Sequence, residues 1–231
     1  MCKDHDALTM SRRGALVGGL ATMAAALPFG RAFAQEAITP DQALARLMEG
    51  NERYVCCETL PRKFSKDRAA LALSQRPFAA ILGCADSRVA PELAFDQSRG
   101  QLFVLRVAGN TLNTDNLASM EYAVAELGTP LIMVLGHSAC GAVGAAIKVV
   151  EDDAQLPGHL PALIDPIKPA VEAVRGRAGD LLTNAIKQNV RQTVAEVMAA
   201  GPIVAPAVAD GRVKVVGGFY ELETGKVRLI G

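Results

Sequence analysis

Tryptophan is absent from the 231 residues, and tyrosine and histidine occur three times each. So few aromatics leave core packing to aliphatic side chains. The 50% hydrophobic composition supplies enough of them for one domain with a well-buried interior. Net charge is also missing, because 24 basic residues balance 24 acidic ones. That balance argues against a basic nucleic-acid groove and against an acidic disordered tract, and it favours a small substrate over a polymer. Cysteine is scarce at five residues, and no two stand in a Cys-x-x-Cys pair, so support for dithiol redox work is lacking.

The N-terminal apolar run, Gly14 to Phe29, is 16 residues long. It falls short of the ~20 residues that a membrane-spanning helix needs. Ser11-Arg12-Arg13 precedes it and Ala32-Phe33-Ala34 follows it, a small-x-small triplet before Gln35. Together they read as a twin-arginine signal peptide over residues 1–34, with a mature chain over 35–231 in the periplasm or another exported space. A membrane-anchoring or buried N-terminal helix is the plainer alternative. Cleavage would remove four basic and two acidic side chains, leaving a mildly acidic mature chain of formal charge −2. Cys2 and His5 would leave with the leader.

Further along, strand and helix patterns alternate. Thr39 and Pro40 signal a helix start, with Ala43, Leu44, Leu47, Met48 and Tyr54 on one face. A second short helix is expected from Ser65 to Gln75. Phe78 to Gly83, Leu102 to Val107 and Leu131 to Gly136 are continuous apolar runs, as strands buried on both faces require. A helix capped by Asp115 buries Leu117, Met120, Val124 and Leu127 and stops at Gly128 and Pro130. Another runs from Gly179 to Ala200 with Leu182, Ile186, Val190, Val194 and Val197 on one face. Val213 to Tyr220 and Val227 to Ile230 read as closing strands around Glu223-Thr224-Gly225. Residues 151–169 read as a surface excursion leading into a further helix. The pattern defines an α/β fold with a mainly parallel central sheet flanked by helices.

Two strand ends carry the unusual chemistry. One run passes into Cys84-Ala85-Asp86-Ser87-Arg88 and another into His137-Ser138-Ala139-Cys140-Gly141. Ligands of open α/β sheets bind outside the carboxyl ends of the strands, so these segments can converge. Two thiols and an imidazole suit zinc, and three protein ligands leave the fourth position open, as in a catalytic site. Asp86 can itself fill that position or accept a proton there, and Arg88 can hold its carboxylate in a bidentate pair.

These segments, with Arg106-Val107-Ala108-Gly109-Asn110 between them, resemble the β-carbonic anhydrases in order and spacing. The likeness runs from about Asp41 to the closing Gly217-Gly218-Phe219-Tyr220 stretch. It implies one zinc per chain on Cys84, His137 and Cys140, with Asp86 and Arg88 as a catalytic dyad. The activity implied is reversible hydration of carbon dioxide to bicarbonate and a proton by a hydroxide nucleophile. It further implies a substrate pocket from Gln75, Phe103, Ala108 and Tyr122 with the Gly141 N–H nearby. Ala108 replaces a commoner valine. Ile81 stands where the bicarbonate-inhibited members carry tryptophan, which argues against that regulation. A homodimer or dimer of dimers is implied, with the first helix lying on the partner.

Two rival readings remain at this stage. One is hydrolysis of carbon disulfide or carbonyl sulfide on the same fold, and the other is a non-catalytic zinc or thiol-redox protein. Adjacent Cys56 and Cys57 would form a strained bond with each other, so free thiols or packing roles are expected, with an intermolecular bridge as the alternative. His159 reads as a solvated loop residue.

Overall fold

The apolar runs become the strands of a single sheet. In the computed structural model, which describes residues 38–62 and 68–231, β1 (Ala79–Gly83), β2 (Leu102–Arg106), β3 (Leu131–His137), β4 (Lys214–Tyr220) and β5 (Val227–Ile230) lie in the order β2-β1-β3-β4-β5. The first four run parallel to their neighbours, and β5 returns antiparallel on β4. The helices are α1 (Pro40–Val55), α2 (Arg68–Leu71), α3 (Pro91–Ala94), α4 (Thr114–Ala125), α5 (Gly141–Asp152), α6 (Leu160–Ile164), α7 (Lys168–Glu172), α8 (Leu181–Ala199) and α9 (Val204–Ala209). The expected leader, its cleavage site, Cys2 and His5 lie outside the described residues.

Successive strand residues point to opposite faces, and both faces are covered. Ala79, Ile81, Leu131, Met133 and Leu135 pack with Ala43 and Leu47 of α1. Ala80, Leu82, Ile132 and Val134 pack with Met120 of α4, Val190 and Val197 of α8, and Val204 and Ala207 of α9. Burial on both sides is why the runs are continuous rather than alternating. Each fully buried Leu or Ile contributes about 1.5–3 kcal/mol, so these two layers carry much of the stability.

The cap of α1 is as its sequence promises: Thr39 Oγ1 accepts from the Gln42 N–H while Gln42 Oε1 accepts from the Thr39 N–H. Its apolar face is buried on its own chain.

Three elements differ from expectation. The cap of α4 is Asn113, whose side chain accepts from the Asn116 N–H, so the helix starts before Asp115 and that carboxylate falls in the first turn. The helix expected from Ser65 to Gln75 is, among the described residues, only α2; residues 72–75 leave the helix. Its side chains are exposed or half-buried, and a helix without a buried face is marginal. The stretch expected as a surface excursion is exposed or half-buried through residue 163, as expected, but its last part enters the core. Ile164 and Ile167 are buried and pack with Val171 and Val174 against Val143 and Ala146 of α5. Pro161, Pro166 and Pro169 break this segment into short pieces and hide its periodicity. Cys56 and Cys57 carry exposed free thiols, and His159 is exposed. No helix among the described residues is long and apolar enough to cross a membrane.

Candidate active site

β1 and β3 are neighbours, with Gly83 opposite Leu135, so the chain leaves both strands at the same edge of the sheet. Cys84 follows β1, His137 ends β3, and Cys140 caps α5. Ala139 turns the chain between the last two at φ +53°, a left-handed conformation that costs energy for a residue with a Cβ. The result is convergence of two thiols and an imidazole, all buried, with their ligand atoms within 4.8 Å of one another.

The donor set fits a soft-to-intermediate cation. His137 Nδ1 lies 2.9 Å from the Ser138 carbonyl, and donation there directs the Nε2 lone pair into the cluster. That Nε2 is buried and has no hydrogen-bond partner among the described residues. The hydrogen bond with Cys140 pulls the Cys84 thiol well below the ordinary thiol range, against burial, and drives Cys140 up. Burial disfavours charge on His137, yet the close Cys84 sulfur and its thiolate charge raise the pKa. A thiolate, a second thiol and an orphaned imidazole nitrogen are the groups that zinc gathers.

Asp86 and Arg88 form a complete fork. Arg88 Nε donates to Oδ1 at 2.9 Å and Nη2 donates to Oδ2 at 2.7 Å, while the Arg88 backbone N–H also donates to Oδ1 at 2.9 Å. The same guanidinium donates to the Ala139 carbonyl at 3.2 Å, linking the two ligand-bearing loops. Asp86 Oδ2 stands 3.8 Å from His137 Nε2. The Arg88 hydrogen bonds hold this carboxyl far below the usual carboxylate range, against burial.

The expected pocket residues divide into two groups. Ala108 adjoins Gly109, whose N–H donates to Cys84 Sγ at 3.3 Å, and Gly141 is the exposed first residue of α5 beside Cys140. Gln75, Phe103 and Tyr122 are not brought to the cluster. Phe103 sits three register positions before Arg106 on β2, about 10 Å along the strand. Tyr122 lies beside it with ring centroids 6.3 Å apart and the ring planes tilted by 35°. Gln75 is exposed and lines an open cavity of about 560 Å³ with Arg68, Ser74, Arg99 and Gly100, near the opposite end of β2.

Other residues at the site went unassigned in the sequence. Arg106 donates from Nε to the Cys84 carbonyl at 3.0 Å and from Nη2 to the Asp86 carbonyl at 2.6 Å, pinning the loop that carries both. Ser138 Oγ accepts from the Leu222 N–H at 2.9 Å and ties the histidine turn to the β4–β5 hairpin. Asn189 of α8 donates to the Gly109 carbonyl at 2.8 Å. Arg106 stood in a quoted motif without a role. Asn189 was visible only as a polar intrusion on an apolar helical face.

With this geometry in place, the chain finds clear relatives. The carbonic anhydrase family model matches residues 79–227. Carbonic anhydrase 2 of Mycobacterium tuberculosis is 40% identical over 191 residues, which cover 82% of this chain and 92% of that protein. The structure of the Coccomyxa β-carbonic anhydrase in complex with acetazolamide superposes with a TM-score of 0.65 at 31% identity, over 81% of this chain and 86% of that one. One of two tetrameric β-carbonic anhydrases from Sordaria macrospora matches with a TM-score of 0.63 at 26% identity, over 71% and 85% of the two chains. The chain belongs to the carbonic anhydrase family, in its β class, and it is an enzyme of that kind.

Proposed function

We propose that the chain catalyses reversible hydration of carbon dioxide to bicarbonate and a proton, with one zinc ion held by Cys84, His137 and Cys140. The observation that carries this reading is the buried two-sulfur, one-nitrogen cluster with the Asp86 carboxylate turned toward its imidazole nitrogen. Zinc in that position supplies Lewis acidity toward water, and so a nucleophile near neutral pH.

The chain's own residues do the rest. Asp86, kept ionised by Arg88, accepts a hydrogen bond from the reacting water at Oδ2 and sets its direction. Arg88 and Arg106 hold that carboxylate and its loop still. Freed from Arg88, the same carboxylate is the group within reach of the fourth ligand position, where it would close the site. Gly141 offers a backbone N–H at the positive end of α5 for an oxygen of bicarbonate. The small Ala108 side chain leaves space beside it.

The working unit in this reading is a homodimer or a pair of dimers, because Gln75, Phe103 and Tyr122 can serve as pocket residues only for the cluster of a second copy. Residues 1–34 are proposed to be a twin-arginine signal, on the evidence of Ser11-Arg12-Arg13, the apolar run and Ala32-Phe33-Ala34. A route that carries folded protein keeps Cys84 and Cys140 from oxidation before metal arrives.

Carbon dioxide hydration by the purified protein, followed with metal analysis, is the direct test. About one zinc per chain is expected, and Cys84→Ser should lose metal and activity together. Full zinc content in that variant overturns the ligand set. Replacing Arg12 and Arg13 together by Lys should leave active, uncleaved enzyme in the cytoplasm. Normal export of that double variant on fractionation overturns the signal assignment and leaves the enzyme reading intact.

A further inference from the structure

We infer that Asn189 is a positioning residue for the metal centre, acting through the backbone of Gly109 on the sulfur of Cys84. The inference rests on the zinc reading above.

Asn189 lies on the buried face of α8 with Ile186, Val190 and Val197, and is 2% exposed. A buried amide on such a face is costly unless it is hydrogen-bonded. Its Nδ2 donates to the Gly109 carbonyl at 2.8 Å, and the Gly109 N–H donates to Cys84 Sγ at 3.3 Å. One residue thus receives the amide on one side and contacts the metal-ligand sulfur on the other. Gly109 adopts φ +81°, and a Cβ there would come within 2.5 Å of Ile167 Cδ1. Only glycine fits this place, and glycine does not hold a conformation by itself. The fixed point is supplied by Asn189.

The helix that carries Asn189 is itself seated against the strand that delivers His137. A Cβ on Gly136 would meet Val190 Cγ2 at 2.6 Å and Ile186 Cγ2 at 3.3 Å, so the bare backbone lets α8 approach that closely. Asn189 adjoins Val190 in sequence and lies about one helical turn from Ile186. Helix α8 therefore positions the histidine strand by packing and the thiolate's hydrogen-bond donor by Asn189.

An N–H···S hydrogen bond draws electron density from a thiolate and weakens its donation to the metal. Two thiolates would otherwise leave the ion with little net positive charge. The Gly109 bond offsets part of that, and Asn189 keeps it aligned.

The test uses the whole protein loaded with cobalt(II), and in parallel with cadmium-113. In the wild-type cadmium protein the Gly109 amide proton should show a scalar coupling to the metal across the hydrogen bond. Absence of that coupling in a metal-loaded wild type overturns the inference without needing a variant. Asn189→Leu should lose the coupling and move the sulfur-to-cobalt charge-transfer band to lower energy, as a thiolate freed of its hydrogen bond becomes a stronger donor. Thr193→Val, which alters another buried polar group on α8, should leave band and coupling unchanged. An unshifted band in folded Asn189→Leu, or an equal shift in Thr193→Val, overturns the positioning role. Wild-type protein that takes up no cobalt overturns the zinc reading instead, and this inference with it.

Discussion

Asp86 makes three hydrogen bonds with Arg88 and still presents one oxygen to the cluster, so its carboxylate is both fixed and available. Asp86→Asn keeps the shape, loses the charge and spoils the fork, because an amide nitrogen cannot accept from the guanidinium. The variant should keep its metal, since Cys84, His137 and Cys140 form the cluster without it, and should turn over about 10²–10⁴-fold more slowly at neutral pH. Stopped-flow hydration rates with metal analysis on the same sample check this, and unchanged rates would remove Asp86 from the mechanism. Residues of this kind were legible in the sequence because chemistry demands their side chains: a thiol, an imidazole and a carboxylate at strand ends are rare in combination. Gly109 and Asn189 were not legible as a unit. The group that touches Cys84 is a backbone N–H, which every residue except proline possesses, and its support comes from a helix 80 positions away.

At the scale of elements, the strands were readable because burial on both faces leaves no polar interruption, whereas α2 and the stretch from α6 to α7 lacked an unbroken pattern. The C-terminal end of α1 depends on a polar knot that periodicity does not reveal. Asp96, with its side chain fully buried, accepts from Arg53 Nε at 2.8 Å, Arg62 Nη2 at 3.1 Å and the Leu60 N–H at 3.1 Å. It thereby fastens the segment after Cys56 and Cys57 to the end of α3. Burial raises the Asp96 pKa, but the hydrogen bonds from Arg53 and Leu60 and the two guanidinium charges outweigh it, so the net shift is downward. A carboxyl whose folded pKa is depressed stabilises the fold fully above its unfolded value, about 3.9, and loses that contribution as pH falls through the folded value. Asp96→Asn should therefore cost about 2 kcal/mol at pH 7, a difference that shrinks as pH drops below about 5. Urea midpoints measured across that range decide it. A gap that stays constant with pH would mean that Asp96 does not contribute to the acid limb.

For the molecule as a whole, the separation of Gln75 from its own cluster leads to the strictest test of assembly. Two-fold dimers have self-complementary interfaces, so a residue that reaches the neighbour's site does so in both directions. Gln75→Ala should then impair the partner's cluster, while Cys84→Ser disables the cluster of the chain that carries it. If the proposed dimer forms, each variant alone should give dimers with no complete site. Unfolding and refolding an equal mixture with zinc creates mixed dimers. In these, the intact cluster of the Gln75→Ala chain receives Gln75 from the Cys84→Ser chain. Random pairing makes half the dimers mixed, each with one complete site, so roughly a quarter of wild-type activity should return. If Gln75 instead served its own chain, the two defects would still leave every site broken, and mixing would recover nothing. The relative described as tetrameric has the same fold over 71% of this chain. Light scattering on the refolded mixture, read beside the recovered rate, distinguishes failure to pair from pairing without exchange of Gln75.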